Sequence, residues 1–371
     1  MKNLLLILAL SCLMLGLTQT VPAQEGPTKA DFECLKLATS NKHLPLGDQS
    51  SLASYHHVWI PDLKFGQFDS NGLSLAYELE GTGKEVVIVV HGGAGLPHEY
   101  FHPMLSSLSR YTRLVYFDRR ADMLSTRSVF EPASPAELAD DIDALRKALG
   151  LQRVTLFGHS FGGNIALTYA LRYPNNVKRL ILVGTSAVVE SQSEVEKRLA
   201  KTLSAEEAAA FYSNEGTSRQ VSPCEQARLR YRALFRHYFH KVPDTSTLDR
   251  SVYSVYFDAL ARKQLLANDP SGFDLRSQLS RIGVPVLVVA GRHDEVTPIA
   301  QAAELAKQLP QGTLVVMNQS GHFPFFEENY MFSQWVHRFL DGTGDLHTDD
   351  VTSAPTNITS SGTQPFNPRS R

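Results

Sequence analysis

Short aliphatic runs, each separated from the next by a helical segment, constrain the fold of this chain more than any other feature. Runs of this length and composition are typical of strands that are buried on both faces. They occupy residues 86–90, 114–118, 154–157, 180–183, 286–290 and 314–317. Regular alternation of buried strands with helices places helices on both sides of a mostly parallel sheet. The sequence therefore predicts a doubly wound α/β fold.

A hairpin precedes these runs, and one of the helices between them has well-marked ends. Residues 65–69 and 73–80 flank a short turn that contains Asn and Gly, which favours an antiparallel pair of strands. A helix over 135–149 is predicted because Ser134 is a suitable N-cap and Glu137 follows at the spacing of a capping box.

The regular alternation is interrupted once, by amphipathic helical sequence without a convincing strand. We interpret this interval as a helical cap inserted into the core. The last residues of the chain are rich in Thr, Ser, Pro, Asn and Gly, a composition that favours a mobile tail. The predicted organisation is an extension at 24–64, a core in two parts at 65–187 and 282–341, the cap at 188–281 and the tail at 342–371.

The beginning of the chain has the pattern of a secretory leader. Lys2 precedes an apolar run over residues 4–17, and small residues follow up to Ala23. The run is shorter than the ~20 residues of a membrane span. We predict a signal peptide over 1–23, cleaved after Ala23, and a secreted or periplasmic protein without a stable membrane span. A retained anchor and a lipid attached to Cys12 are the alternatives.

Export would place Cys34 and Cys224 in a compartment that permits disulfides. A bridge between them and two separate thiols are both compatible with the sequence, because spacing alone does not say whether the two Cα atoms approach.

The charge balance bears on the partners of the chain. Thirty-six basic residues stand against 38 acidic ones, for a formal net charge of −2. This leaves no excess of positive charge to hold a phosphate backbone, so nucleic acid is excluded as an expected partner. We expect a small-molecule or short-peptide substrate.

A G-x-S-x-G motif lies where the run 154–157 meets the helical segment 164–172. Its residues are Gly158-His159-Ser160-Phe161-Gly162. A tight turn between strand and helix exposes the serine, and the helix N-terminus beneath it favours negative charge. The motif predicts Ser160 as a nucleophile.

A second group of small residues follows the run 86–90, in the sequence His91-Gly92-Gly93-Ala94-Gly95. Small residues allow backbone N–H groups to approach a substrate oxygen. We predict that the N–H groups of Gly93 and Phe161 form an oxyanion hole. We interpret His91 as fixing this loop by hydrogen bonding rather than as catalytic, and we also place His91 and Tyr100 among the candidates for substrate contact.

An acid and a base follow the last two strands. Asp294 comes after the run 286–290, and His322 comes after the run 314–317. The chain order of Ser160, Asp294 and His322 is the nucleophile, acid and base order of α/β-hydrolases. In this arrangement His322 takes the proton of Ser160, while Asp294 holds the imidazole tautomer and stabilises the imidazolium.

Over about residues 65–340 the sequence resembles the prolyl aminopeptidase (proline iminopeptidase) family of α/β-hydrolases. The loop His91-Gly92-Gly93-Ala94-Gly95 is similar to the HGGPG of that family, and Gly158-His159-Ser160-Phe161-Gly162-Gly163 is similar to its GxSWGG. Gly321-His322-Phe323-Pro324 followed by Glu327 resembles its histidine segment. The resemblance implies a helical cap between the sixth and seventh core strands, where the insertion at 188–281 lies.

The chain departs from the family pattern in two places. The family's DQRGxGxS is replaced by Asp118-Arg119-Arg120-Ala121-Asp122-Met123-Leu124-Ser125, without either glycine. We interpret the two arginines as partners in local ion pairs, with a pocket arginine for a substrate carboxylate as the alternative. The resemblance also implies cap carboxylates that hold the substrate amine; the candidates are Glu194, Glu206, Glu207, Glu215 and Asp258, of which we select Glu207 and Glu215.

A competing motif lies between these elements, because residues 98–102 match H-E-x-x-H, the pattern of zinc proteases when it lies on a helix. Pro103 disfavours helical geometry at His102, so the two imidazoles need not share a face. We predict a loop that enters a helix near Pro103, with His98 and Tyr100 at the pocket mouth, and no metal or cofactor.

Taken together, the motifs predict an exported serine hydrolase that acts through an acyl-enzyme and releases N-terminal residues of proline type from short peptides. An esterase or lactonase for a small ester is the alternative. A non-catalytic binding protein on the same fold is a more remote alternative, since it has no need of Ser160, Asp294 and His322 together.

Overall fold

The computed structural model describes residues 63–93, 98–119, 133–205, 236–242 and 273–342, and it centres on an eight-stranded sheet. The strand order is β1-β2-β4-β3-β5-β6-β7-β8. Strand β2 runs antiparallel to both β1 and β4, and the other neighbours are parallel. The strands are β1 (Lys64–Ser70), β2 (Leu73–Glu80), β3 (Glu85–Val90), β4 (Thr112–Phe117), β5 (Val154–His159), β6 (Val177–Val183), β7 (Val286–Gly291) and β8 (Gly312–Met317). This confirms the predicted α/β fold.

The central strands are apolar throughout because both of their faces are covered. Every residue of β5 and of β7 is buried. Alternate side chains belong to two separate hydrophobic clusters, so that Leu156 packs into one and Phe157 into the other. Strands of this kind have no solvent face, which is why the sequence shows runs rather than alternation.

Helices cover the sheet on both sides. The first is α1 (Pro135–Ala148), which begins with the predicted capping box between Ser134 and Glu137. The others are α2 (Phe161–Arg172), α3 (Gln192–Ala200), α4 (Ile299–Gln308), α5 (Pro324–Glu327) and α6 (Asn329–Asp341). Among the described residues, none of the helices has both the length and the apolar character required to cross a membrane.

Short 3-10 helices account for one correction to the sequence analysis. Near Pro103 we predicted a loop that enters a helix, but the chain instead forms two 3-10 helices at His98–Phe101 and Ser106–Arg110. Three more lie at Pro174–Asn176, Arg236–Tyr238 and Arg276–Arg281.

The two ends of the predicted cap leave the core side by side. Val188 and Asp274 form an isolated antiparallel bridge, and the N–H of Val189 donates to the carbonyl of Phe273 at 3.0 Å. Helix α3 and the segment 236–242 belong to this insertion. The cap boundaries, the leader and the tail stay predictions, and Cys34, Cys224, Glu206, Glu207, Glu215 and Asp258 lie outside the described residues.

Candidate active site

Ser160 lies on a sharp turn between β5 and α2. Its φ and ψ angles are 54° and −126°, a strained combination for a residue with a side chain. The N–H of Ser160 donates to the carbonyl of Val183 at 2.9 Å, which ties the turn to the end of β6. A Cβ atom at Gly162 would stand 2.2 Å from the carbonyl oxygen of Val90, so the turn can pack against β3 only with glycine there. Neighbouring strands therefore hold Ser160 in this conformation.

Asp294 and His322 meet in a buried hydrogen bond. Nδ1 of His322 lies 2.8 Å from Oδ2 of Asp294. The other carboxylate oxygen accepts the N–H groups of Val296 and Thr297, each at 2.8 Å. Because the carboxylate is the acceptor, Nδ1 carries a proton, and the lone pair of a neutral imidazole is then on Nε2. This is the tautomer that a general base requires.

The imidazole of His322 lies beside the turn that carries Ser160. A Cβ atom at Gly184 would stand 3.1 Å from Nδ1 of His322, and Gly184 directly follows the residue that is hydrogen-bonded to Ser160. The ring centroid of His159, the neighbour of Ser160 in the chain, is 4.8 Å from that of His322. The structure thus brings together the residues that the sequence assigns as nucleophile, base and acid.

The loop after β3 lies on the other side of Ser160. A Cβ atom at Gly92 would stand 2.9 Å from Cβ of Ser160, and Gly93 has a φ of +60°. Within the described ranges, no acceptor takes the N–H of Gly93 or the N–H of Phe161. Two backbone donors next to a nucleophile are what an oxyanion hole requires.

A chain of buried hydrogen bonds connects this loop with His322. The N–H of Gly92 donates to the Tyr100 hydroxyl at 2.7 Å, and that hydroxyl lies 2.7 Å from Nδ1 of His159. Nε2 of His159 lies 3.0 Å from the carbonyl oxygen of His322, an acceptor only, so Nε2 carries the proton and Tyr100 donates to Nδ1. Burial raises the pKa of Tyr100, and burial together with His322 lowers the pKa of His159 well below its usual range. The Tyr100 hydroxyl and the His159 imidazole therefore both stay neutral, as donation from Tyr100 to Nδ1 of His159 requires.

These contacts correct the assignment of His91 and Tyr100 to the substrate-contacting surface. His91 is 0% exposed and Tyr100 is 3% exposed. Nδ1 of His91 lies 3.2 Å from the carbonyl oxygen of Gly92. Both side chains thus support the loop from behind, which agrees with the structural interpretation of His91. His98, predicted at the pocket mouth, is buried as well.

Glu327 joins the loop of His322 to the segment 236–242, which lies in the predicted cap. Its Oε2 accepts the N–H of Gly321 at 2.7 Å, and its Oε1 accepts the N–H groups of His240 and Lys241 at 2.8 and 3.0 Å. Burial raises the pKa of this carboxyl group. The N–H of His322 also donates to the carbonyl of Tyr238 at 2.6 Å. The cap segment 236–242 is therefore attached directly to the predicted base.

The two histidines of the H-E-x-x-H pattern come together, although Pro103 follows them. Oε2 of Glu78 lies 3.0 Å from Nε2 of His98 and 3.4 Å from Nε2 of His102, so these three buried residues could contact one metal ion. The two imidazoles thus approach the same carboxylate oxygen, an arrangement that the sequence left open. Burial alone would lower the pKa of His98, but the carboxylates of Glu78 and Asp118 outweigh it and raise this pKa well above the usual range. We interpret the cluster as a buried ion-pair network, because His98 contacts the carboxylates of both Glu78 and Asp118.

Comparison with known proteins agrees with this geometry. A family model described as the alpha/beta hydrolase fold matches residues 85–329. The chain therefore belongs to the α/β-hydrolase family.

The similarity extends to particular relatives. A proline iminopeptidase of Pestalotiopsis fici, PfmaB, is 27% identical over 278 residues, which are 73% of this chain and 97% of the relative. The resemblance to prolyl aminopeptidases is thus confirmed. Among solved structures, an esterase from Exiguobacterium antarcticum has a TM-score of 0.60 at 22% identity, covering 74% of this chain and 98% of its own. An enol-lactonase from Burkholderia xenovorans has a TM-score of 0.59 at 21% identity, covering 74% and 100%. At these identities the two structures support the fold alone.

Sequence reasoning missed the supporting roles of three residues. His159 is the variable residue of the G-x-S-x-G motif, and Glu327 appeared only as part of a family resemblance. Arg119 was interpreted as an ion-pair partner or a pocket arginine, but its Nη2 donates to the carbonyl of Gly93 at 2.7 Å. No sequence pattern predicts which backbone carbonyl or imidazole a side chain reaches across the sheet.

Proposed function

We propose that this chain is an exported serine hydrolase that forms an acyl-enzyme at Ser160 and releases N-terminal residues of proline type from short peptides. The observation that carries the proposal is the hydrogen bond between Asp294 and His322, beside a serine on a strained turn. The similarity to proline iminopeptidases supports the choice of substrate. The leader pattern over 1–23 supports export.

The steps of the reaction follow from the positions of these groups. Oγ of Ser160 attacks the scissile carbonyl while Nε2 of His322 takes its proton, and Asp294 stabilises the imidazolium. The N–H groups of Gly93 and Phe161 stabilise the negative oxygen of the tetrahedral intermediate. Its collapse breaks the amide bond, and His322 protonates the leaving amine. Water then attacks the acyl-enzyme with His322 again as base, which releases the acid and restores Ser160.

A small ester or lactone is the second candidate substrate. An aminopeptidase of this family is expected to hold the free amine of its substrate with cap carboxylates. Of the candidates, Glu194 is the one within the described residues, and its carboxylate accepts the N–H and the hydroxyl of Ser191 at the start of α3. Glu190 is paired with Arg198. These two carboxylates therefore stabilise the cap rather than hold a substrate amine. An esterase does not need a carboxylate for that purpose.

The two substrate classes can be separated by initial rates of the purified chain without its leader. Prolyl and alanyl p-nitroanilides are compared with short-chain p-nitrophenyl esters, and Ser160→Ala is the control. Cleavage of the anilides that disappears in Ser160→Ala, and when the substrate amine is acetylated, supports the aminopeptidase. Turnover of esters alone contradicts it and favours the second candidate. A mature N-terminus at Gln24 after expression with the leader supports export, and an intact leader on the purified protein contradicts it.

A further inference from the structure

Arg119 occupies a position at which the chain departs from its family. The residue follows β4 and Asp118, where the motif DQRGxGxS of the prolyl aminopeptidases has glutamine. Arginine is rarely buried without a specific partner, because removing its charge from water is costly. Arg119 is only 4% exposed. Its contacts should therefore explain why a cation is held at this place.

One guanidinium group contacts both residues that are predicted to form the oxyanion hole. Nη2 of Arg119 lies 2.7 Å from the carbonyl oxygen of Gly93 and 3.3 Å from that of Gly92. Its Cζ atom lies 5.9 Å from the centre of the Phe161 ring, within the range of a cation–π contact. The N–H groups of Gly93 and Phe161, which take no acceptor within the described part of the chain, are thus positioned by the same cation.

The bond to Gly92 has a consequence for the donor strength of the loop. The carbonyl of Gly92 and the N–H of Gly93 belong to the same peptide group. A hydrogen bond to the oxygen of a peptide polarises the group and makes its N–H a stronger donor. The positive charge is also buried close to the point where negative charge develops, and electrostatic interactions are stronger there than in water.

The arrangement also fixes the direction in which the loop presents its backbone. Gly92 uses its own N–H to bond the Tyr100 hydroxyl, and Arg119 takes the carbonyl oxygens of Gly92 and Gly93. The N–H of Gly93 is the donor that these contacts leave available. Nη2 of Arg119 is thus engaged by two backbone carbonyls of this loop.

We propose that Arg119 is a positioning residue that orients and polarises the oxyanion hole and so accelerates the formation of the tetrahedral intermediate. This inference rests on the proposed function, since it requires a nucleophilic attack by Ser160 on a carbonyl group. Arg119 acts through the Gly92–Gly93 peptide and the Phe161 ring and does not itself contact the substrate.

The test compares an oxygen ester with the thionoester that has sulfur in place of the carbonyl oxygen. Sulfur is a weaker hydrogen-bond acceptor, so a thionoester gains less from the oxyanion hole. In the full chain, Arg119→Gln, the residue of the family, keeps a donor and removes the charge, whereas Arg119→Lys keeps the charge. Arg153→Gln is the matched control, because Nε of Arg153 donates to the carbonyl of Val177 at 2.9 Å, at the opposite ends of the strands.

We expect Arg119→Gln to lower kcat for the oxygen ester by about 10-fold to 100-fold, less than the loss of a whole oxyanion-hole donor, with little change in KM. The same variant should lower kcat for the thionoester several-fold less. The ratio of kcat for the oxygen ester to kcat for the thionoester therefore falls. Arg119→Lys should lie between wild type and Arg119→Gln, and Arg153→Gln should match wild type.

Four results would overturn the proposal. An equal loss on both esters means a purely structural role, as does failure of both Arg119 variants to fold while Arg153→Gln folds. A rise in KM alone means that Arg119 binds substrate. Unchanged rates mean that it does neither. If the wild type shows no turnover that depends on Ser160, the proposed function itself fails, and this inference fails with it.

Discussion

The two loops that flank Ser160 are held by side chains of opposite character. On one side, the guanidinium of Arg119 donates to the backbone carbonyls of Gly92 and Gly93. On the other side, the carboxylates of Asp294 and Glu327 accept the backbone N–H groups of their own and neighbouring segments.

The difference follows from what each loop must present to a substrate. The loop after β3 must leave an N–H available for a negatively charged oxygen, so a cation takes its carbonyl groups. The loop after β8 must hold an imidazole in one tautomer and one orientation, so carboxylates fix both its Nδ1–H and its backbone. Each loop is thus rigid through the groups that the proposed chemistry does not use, which is how a site is preorganised.

The largest effect is expected at Ser160, because both loops flank this residue. Ser160→Ala should lower kcat by about 10³-fold to 10⁶-fold and leave only the contribution of binding and the oxyanion hole. Initial rates on the best substrate measure this. Circular dichroism should show an unchanged fold. Turnover close to that of wild type would mean that the two loops surround a residue without a catalytic role.

Asp294→Asn tests the carboxylate side. An amide can donate to Nδ1 and so favour the wrong tautomer, and we expect a loss of about 10³-fold to 10⁴-fold in kcat with little change in KM. Asp274→Asn is the matched control, since Asp274 is paired with Arg276 at the surface. Steady-state rates across pH 6–9 measure both variants. Equal activity of Asp294→Asn and the control would show that His322 needs no acid partner.

Glu327→Gln tests the contact between the His322 loop and the segment 236–242. An amide can keep the acceptor for only one of the two sets of N–H groups, so we expect a loss of about 1–3 kcal/mol in unfolding free energy, together with lower kcat. Urea denaturation and initial rates measure the two effects, with the exposed Glu304→Gln as control. A variant with the stability and kcat of wild type would show that Glu327 does not hold the base.

The last prediction concerns the buried ion-pair cluster of His98, His102, Glu78 and Asp118. The pKa of His98 is raised in the folded protein, so the folded state binds this proton more tightly than the unfolded state. Stability from this group is complete below pH ~6.5 and falls by up to about 1.4 kcal/mol per pH unit as pH rises toward the folded pKa. His98 contacts Glu78 and Asp118, and His102 lies next to Glu78 and Glu80.

His98→Gln should remove that slope, as measured by urea denaturation between pH 6 and pH 9. The variant His337→Gln should keep the slope of wild type, because His337 contacts Asp341 and Tyr111 rather than the cluster. A wild-type stability that does not fall above pH 6.5 would contradict the protonated state of His98.

The sequence was sufficient for the fold and for the residues expected to react. Six buried strands were visible as aliphatic runs, since a strand covered on both faces has few polar residues. The turn at Ser160 was visible because only glycine fits at position 162, and Asp294 and His322 were found from their places after consecutive strands.

The supporting contacts could not be predicted, for a physical reason. Tyr100, His159 and Arg119 act on backbone atoms of other strands, and such contacts depend on side-chain directions that no periodicity encodes. Pro103 leaves the relative directions of His98 and His102 open in the sequence, and a 3-10 helix and the carboxylate of Glu78 bring the two imidazoles together. Glu207 and Glu215 stay predictions.

Covalent labelling of the active serine tests whether Ser160 is a nucleophile activated by His322. The purified chain is treated with a fluorophosphonate, and the product is analysed by intact mass and peptide mapping. We expect one adduct per chain, located on Ser160, and none in Ser160→Ala. No adduct on the folded wild-type chain, or an adduct at another residue that persists in Ser160→Ala, would contradict it.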